Sequence, residues 1–183
     1  MPDSSNLLAQ AEDVAKILLE FHLDALVIGG VALAAHQYIR FTDDIDMGVN
    51  ADLSTLGKVG EALARAGYDI ELRQPDANDP LGGVLDVRGT AGLVQIVNFG
   101  DRFPAVIEDA LAQATLFAQA GSLLKIVPLP HLIALKLYAG GFKSKADIIE
   151  LLQRNQDADR EEIRRLCERY RLKGFDSLLA ELG

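Results

Sequence analysis

The chain is short of the features that mark secreted, membrane-spanning or nucleic-acid-coating proteins. Cysteine occurs once in 183 residues, at Cys167, so no intrachain disulfide can form and a cysteine-based zinc cluster is excluded. A reducing, cytoplasmic setting is the expectation. No uninterrupted apolar run reaches the ~18 residues of a spanning helix. The opening MPDSSNLLAQAED has no basic segment ahead of an apolar one, so neither a membrane span nor a secretory leader is expected. Positive charge is also scarce: 18 Lys and Arg stand against 27 Asp and Glu, a formal net charge of −9. That deficit argues against a protein whose main business is coating nucleic acid through its phosphates. Pro/Ser-rich linkers and internal repeats are missing, and 183 residues is one domain's worth of chain.

What is present is ordinary globular composition, 49% hydrophobic and 25% charged, enough to bury a core. Leu7, Leu8, Ala11, Val14, Ala15, Leu18 and Leu19 recur at three- and four-residue steps, which predicts an amphipathic helix over 7–23. Ala25-Leu26-Val27-Ile28 reads as a buried strand ended by Gly29-Gly30, and 31–38 as an alanine-rich helix. Residues 44–49 alternate with period two, a strand with both carboxylates on one face. Residues 53–66 read as a helix stopped by Gly67, and 68–73 as another alternating strand. After a loop over 74–83, the runs 84–88 and 93–97 flank Gly89-Thr90-Ala91-Gly92 as a β-hairpin. A helix at 105–118, a strand at 123–127 and a helix at 131–139 follow. Residues 145–181 read as two or three helices broken near Asn155 and Gly174. The hairpin interrupts the alternation of a doubly wound sheet, so the expected class is α+β: a mixed β-sheet with packed helices and a helical C-terminal tail.

The chemistry concentrates in residues 27–49, VIGGVALAAHQYIRFTDDIDMGV. Gly29-Gly30 at a strand-to-helix turn would let a phosphate approach backbone N–H groups, with the dipole of a helix beginning at Val31 aimed at it. Asp44 and Asp46 lie two residues apart, roughly 6.5–7 Å along one strand face, a spacing at which paired carboxylates can hold Mg2+ and a triphosphate together. Aspartate is a poor strand former, so two in three residues need a reason. Arg40 and Thr42 add a guanidinium fork and a hydroxyl suited to phosphate oxygens. The plainer readings are a structural glycine turn, two aspartates on a wet strand face and a solvated arginine. His22 and His131 have no partner at ligand spacing and read as surface or boundary residues, and Cys167 as a small helix residue.

Gly29-Gly30, a helix, then Arg40-x-Thr42-x-Asp44-Ile45-Asp46 resembles the signature of the nucleotidyltransferase (DNA polymerase β-like) superfamily. A second block, from Val127 to Leu152, resembles the distal motif of its small bacterial members near the AbiEii abortive-infection toxins, and Lys136, Lys143 and Asp147 match that motif. The resemblance implies a nucleotidyltransferase-like α/β core over 1–142, with a helical extension over 143–183 packed on the same domain. It implies Mg2+ held by Asp44 and Asp46, and an NTP bound by Gly29, Gly30, Arg40, Thr42, Lys136, Lys143 and Asp147. The implied reaction moves a nucleoside monophosphate to a hydroxyl on RNA, a protein or a small molecule. The likeness to small toxins brings with it a toxin–antitoxin setting and an antitoxin as partner. Where active members place a third carboxylate this chain has Gln95, and Ser144 stands where the distal motif is often acidic. If residues 89–92 close a symmetric hairpin, Asp86 faces Gln95 across it, so Asp86 is the expected third catalytic acid. A non-catalytic module that binds nucleotide or a partner is the alternative that Gln95 raises.

Overall fold

A computed structural model of the chain describes residues 4–75 and 80–182; the middle of the expected 74–83 loop lies outside them. The first apolar stripe folds as α1 (Ser4–Glu20) and the apolar triplet as the buried strand β1 (Leu26–Ile28). Then come α2 (Gly29–Ala35), β2 (Asp44–Val49), α3 (Leu53–Arg65), β3 (Asp69–Arg73), and the hairpin β4 (Val84–Gly89) and β5 (Gly92–Asn98). After it follow α4 (Pro104–Gln113), β6 (Lys125–Ile126), α5 (Leu129–Ala139), α6 (Gly141–Arg154), α7 (Arg160–Arg169) and α8 (Phe175–Leu182). The six strands form one mixed sheet in the order β3-β4-β5-β2-β1-β6. β3, β4 and β5 are an antiparallel meander, β2 lies parallel to β5 and antiparallel to β1, and β6 lies parallel to β1. The α+β class expected from the interrupted alternation is the one observed.

Period-two alternation decides which face meets which helices. Ile45, Met47, Val94, Ile96, Val87 and Leu85 are buried on one face, where α1 and α3 pack. On the other face the ladder sets Asp46 beside Gln95, Gln95 beside Asp86, and Asp86 beside Glu71. α4 closes over this second face at β1. Gly48 makes room there, since an added Cβ would come within 3.0 Å of Ile107 Cδ1. α5 packs against α4, α6 and α7, and α8 against α6 and α7, so the tail is layered on the same core. α6 runs through position 142 without a break.

Several expected boundaries move. α2 stops at Ala35 and α1 at Glu20, because Gln37 and His22 take up left-handed backbone at φ 66° and 59° and turn the chain out of the helix. α4 ends at Gln113, since residues 116–118 leave the helical pattern to pair with 124–126: Ile126 N–H donates to the Leu116 carbonyl and Ala118 N–H to that of Leu124. The apolar run 123–127 therefore contributes only two residues to the sheet. His131 is no boundary residue but is 1% exposed inside α5, while His22 is exposed as expected. No helix among the described residues is long and apolar enough to cross a membrane.

Candidate active site

Two glycines admit the side chains that build the site. Gly29 has φ +67°, backbone that disfavours any L side chain, and an added Cβ would sit 1.8 Å from Asp46 Oδ2. At Gly30 a Cβ would come within 2.7 Å of Thr42 Cβ. Both glycines are demanded by close approach, but not in the way the spacing suggested. α2 begins at Gly29 itself and spans only seven residues, so the pair forms the first helical turn instead of an open loop ahead of Val31.

Asp44 and Asp46 share one face of β2 and are both partly buried. The Thr42 hydroxyl donates to the Asp44 carboxylate. Burial, and next the charge of Asp44, push the Asp46 carboxyl up to about 6; Lys136, Arg40 and Lys143 pull the other way. A loop, α5 and α6 thus each bring one cation to bear on Asp46. Asp147, 2% exposed in the second turn of α6, ties two of them together: Lys136 Nζ donates to its Oδ2 at 2.6 Å and Arg40 Nη1 pairs with its Oδ1 at 3.4 Å. The Arg40 Nε is buried without a hydrogen-bond partner among the described residues, a donor left free for an anion.

Asp86 faces Gln95, as the hairpin arithmetic required. Gln95, however, is the residue beside Asp46. Asp86 is therefore two strand spacings from Asp46, about 9.5 Å across the sheet, and its oxygens are claimed. Arg73 Nη2 reaches Oδ1 at 2.9 Å, Arg88 Nη2 reaches Oδ2 at 3.1 Å, and Gln95 Nε2 donates to Oδ1 at 2.7 Å. Burial works to raise the Asp86 carboxyl, but Gln95 and the two arginines outweigh it and hold it below the usual range. Among the described residues no three His, Cys, Asp or Glu side chains are grouped to hold a metal, so Asp86 does not complete a cluster with Asp44 and Asp46.

Sequence reading missed a cavity of about 240 Å³ that adjoins Asp46 and Lys136, with Leu81, Val97, Phe99 and Leu132 in its walls. Those residues carry no signal that separates them from ordinary core. The donor set itself suits a hard cation: it is all oxygen, and the repulsion that lifts Asp46 is relieved by positive charge between the two carboxylates. Two carboxylates are enough for Mg2+ when phosphate oxygens and water supply the remaining ligands.

No protein-family model matches the chain, and no curated protein matches its sequence. Solved structures do. A crystal structure of ANT(2'')-Ia in complex with adenylyl-2''-tobramycin is 15% identical with a TM-score of 0.56, covering 90% of this chain and 96% of that one. The solution structure of the same antibiotic-resistance factor is 15% identical with a TM-score of 0.57, covering 93% of each. An antigenic nucleotidyltransferase-like protein from Paracoccidioides brasiliensis is 18% identical with a TM-score of 0.51, covering 82% of this chain and 77% of that one. The fold is that of the nucleotidyltransferases.

Proposed function

We propose that this chain uses the nucleotidyltransferase fold for its own chemistry, as a Mg2+-dependent enzyme that moves a nucleoside monophosphate from an NTP to a hydroxyl acceptor. The observation that carries this reading is the environment of Asp46: a second carboxylate on the same strand and three cations brought from separate elements. Acid pairs and cations at one point on a sheet suit a metal-bound triphosphate, whose charge each half answers. Asp44 and Asp46 would hold Mg2+, which when bound supplies positive charge to the phosphates. Arg40, Lys136 and Lys143 bind and orient the phosphate oxygens. Asp147 pairs with Lys136 and Arg40 and so ties the two cations together.

The reaction is in-line displacement. The acceptor oxygen bonds to the α-phosphorus, the bond from that phosphorus to the bridging oxygen breaks with its electron pair leaving on pyrophosphate, and the hydroxyl proton passes to solvent. Gly29 and Gly30 keep the approach to Asp46 and Thr42 open, and Thr42 orients Asp44. Asp86 acts through its neighbour: accepting from Gln95 Nε2, it fixes that amide with the nitrogen toward β4. The acceptor belongs to RNA, protein or small molecules, and an antitoxin partner goes with the toxin-like distal motif.

The test is calorimetric titration of Mg·NTP, followed by transfer of radiolabelled NMP into a fractionated cell extract. Asp44→Asn and Lys136→Ala each weaken Mg·NTP at least tenfold, the first with little change in melting temperature and the second with a lower one, because it strips the buried Asp147 of its nearest partner. Unchanged affinity in both variants overturns the assignment, and tight binding without transfer to any fraction favours a nucleotide-binding module instead.

A further inference from the structure

We infer that the cavity beside Asp46 is the acceptor subsite, and that the acceptor is a neutral, largely apolar small molecule carrying a hydroxyl group; this rests on the nucleotidyl transfer proposed above. Position is the first argument. Arg40, Thr42 and Asp44 all precede Asp46 along the chain into β2. The cavity's sheet residues lie level with Asp46 or beyond it: Ile28 pairs with Asp46, Val97 with Gly48, and Phe99 follows β5. Arg40, Thr42 and Asp44 therefore approach Asp46 from one end of β2 and the cavity's sheet residues from the other, with Gly29 and Lys136 as the walls that the two share. An in-line displacement needs that arrangement, because the attacking oxygen and the departing pyrophosphate occupy opposite sides of the α-phosphorus.

Chemistry is the second. Among the described residues, the charged side chains lining the cavity are Asp46 and Lys136, one of each sign. Among the described residues that line it, a polycationic acceptor would find no carboxylate beyond Asp46, and an RNA backbone no cation beyond Lys136. A nucleobase would bury several ring and exocyclic polar atoms against walls whose other side-chain hydroxyls are those of Ser144 and Tyr138. The latter already donates to the Pro80 carbonyl at 2.7 Å. Polar atoms buried without partners are costly. A body with one hydroxyl aimed at Asp46 and carbon elsewhere leaves nothing unpaired. A volume of about 240 Å³ admits a small molecule or the hydroxyl-bearing end of a larger one.

The experiment uses the full chain and one variant, Ala139→Trp, which fills the cavity from an exposed rim position outside the phosphate-binding set. The neutral fluorophore N-phenyl-1-naphthylamine is titrated into both. Saturable binding to the parent that weakens at least tenfold in Ala139→Trp, with Mg·NTP affinity within twofold, is the expected result. Absent or unchanged fluorescence overturns the cavity as a binding site. A cell extract is first split into protein, RNA, cation-exchange-retained and organic-extractable neutral fractions, and each fraction is then incubated with the chain, Mg2+ and labelled NTP and scored for label joined to it. Label in the neutral fraction, lost with Ala139→Trp, is expected. Label in any other fraction that persists in Ala139→Trp overturns the acceptor assignment and leaves the transferase standing. A parent chain that neither binds Mg·NTP nor labels any fraction overturns the transferase, and the acceptor assignment with it.

Discussion

Asp46 keeps its proton to a higher pH than a free aspartate, and stability follows. Its carboxyl titrates near 6 in the folded chain against 3.8 in the unfolded one, so between those values the folded state binds more protons. The resulting stabilisation is complete below about pH 4 and is lost as pH rises through 6. In buffer free of divalent ions, Asp46→Asn therefore raises stability at pH 7.5 by about 1–3 kcal/mol at ~1.4 kcal/mol per unit, discounted for partial exposure. That corresponds to several degrees in melting temperature, with little change at pH 4. Scanning calorimetry at the two pH values checks it, and a lower melting temperature at pH 7.5 would contradict the assignment. The spacing of Asp44, Asp46, Arg40 and Thr42 was legible because a strand's period is local. The reason for Gly29 and Gly30 was not: the atoms that crowd them belong to Asp46 and Thr42, which come close only once β2 lies against β1. Asp86 illustrates both cases. Hairpin arithmetic found its partner Gln95, but nothing local revealed that Arg73 would reach it from β3.

At the scale of elements, helix cores were legible and helix ends were not. α3 ends at Gly67, φ 99°, the residue chemistry expects. α1, α2 and α7 end the same way at His22, Gln37 and Arg171, with φ between 56° and 66°. Each closes with the carbonyl bonds of the same cap: after His22, Leu23 N–H donates to the Leu18 carbonyl, and after Gln37, Tyr38 N–H donates to that of Leu33. Side chains in that conformation cost about 1 kcal/mol, so tertiary packing places these ends and no glycine advertises them. His22 is exposed and free to change. His22→Gly is expected to raise the melting temperature by about 2–4 °C, the yield of ~1 kcal/mol in a chain of this length, measured by thermal unfolding followed by circular dichroism.

For the whole molecule, a net charge of −9 surrounds a small positive cluster of Arg40, Lys136 and Lys143. Repulsion by the remainder opposes polyanions, while one metal-bound triphosphate needs only the cluster. Filter binding with poly(U) or duplex DNA at 0.15 M salt is therefore expected to give dissociation constants weaker than about 10⁻⁴ M. Micromolar retention would contradict it.

The ion pair between Arg40 and Asp147 joins residues 107 positions apart, and Asn155 Nδ2 donates to the His36 carbonyl from 119 positions away. On a ribosome that distance is time. At ~5–20 residues per second, the carboxylates of β2 emerge about 5–20 s before the helix that organises their cations. Through that interval a growing chain can assemble β2 and the hairpin, yet it lacks Lys136, Lys143 and Asp147. The set of charges around Asp46 is thus completed late in synthesis, and a fragment released early lacks half of them.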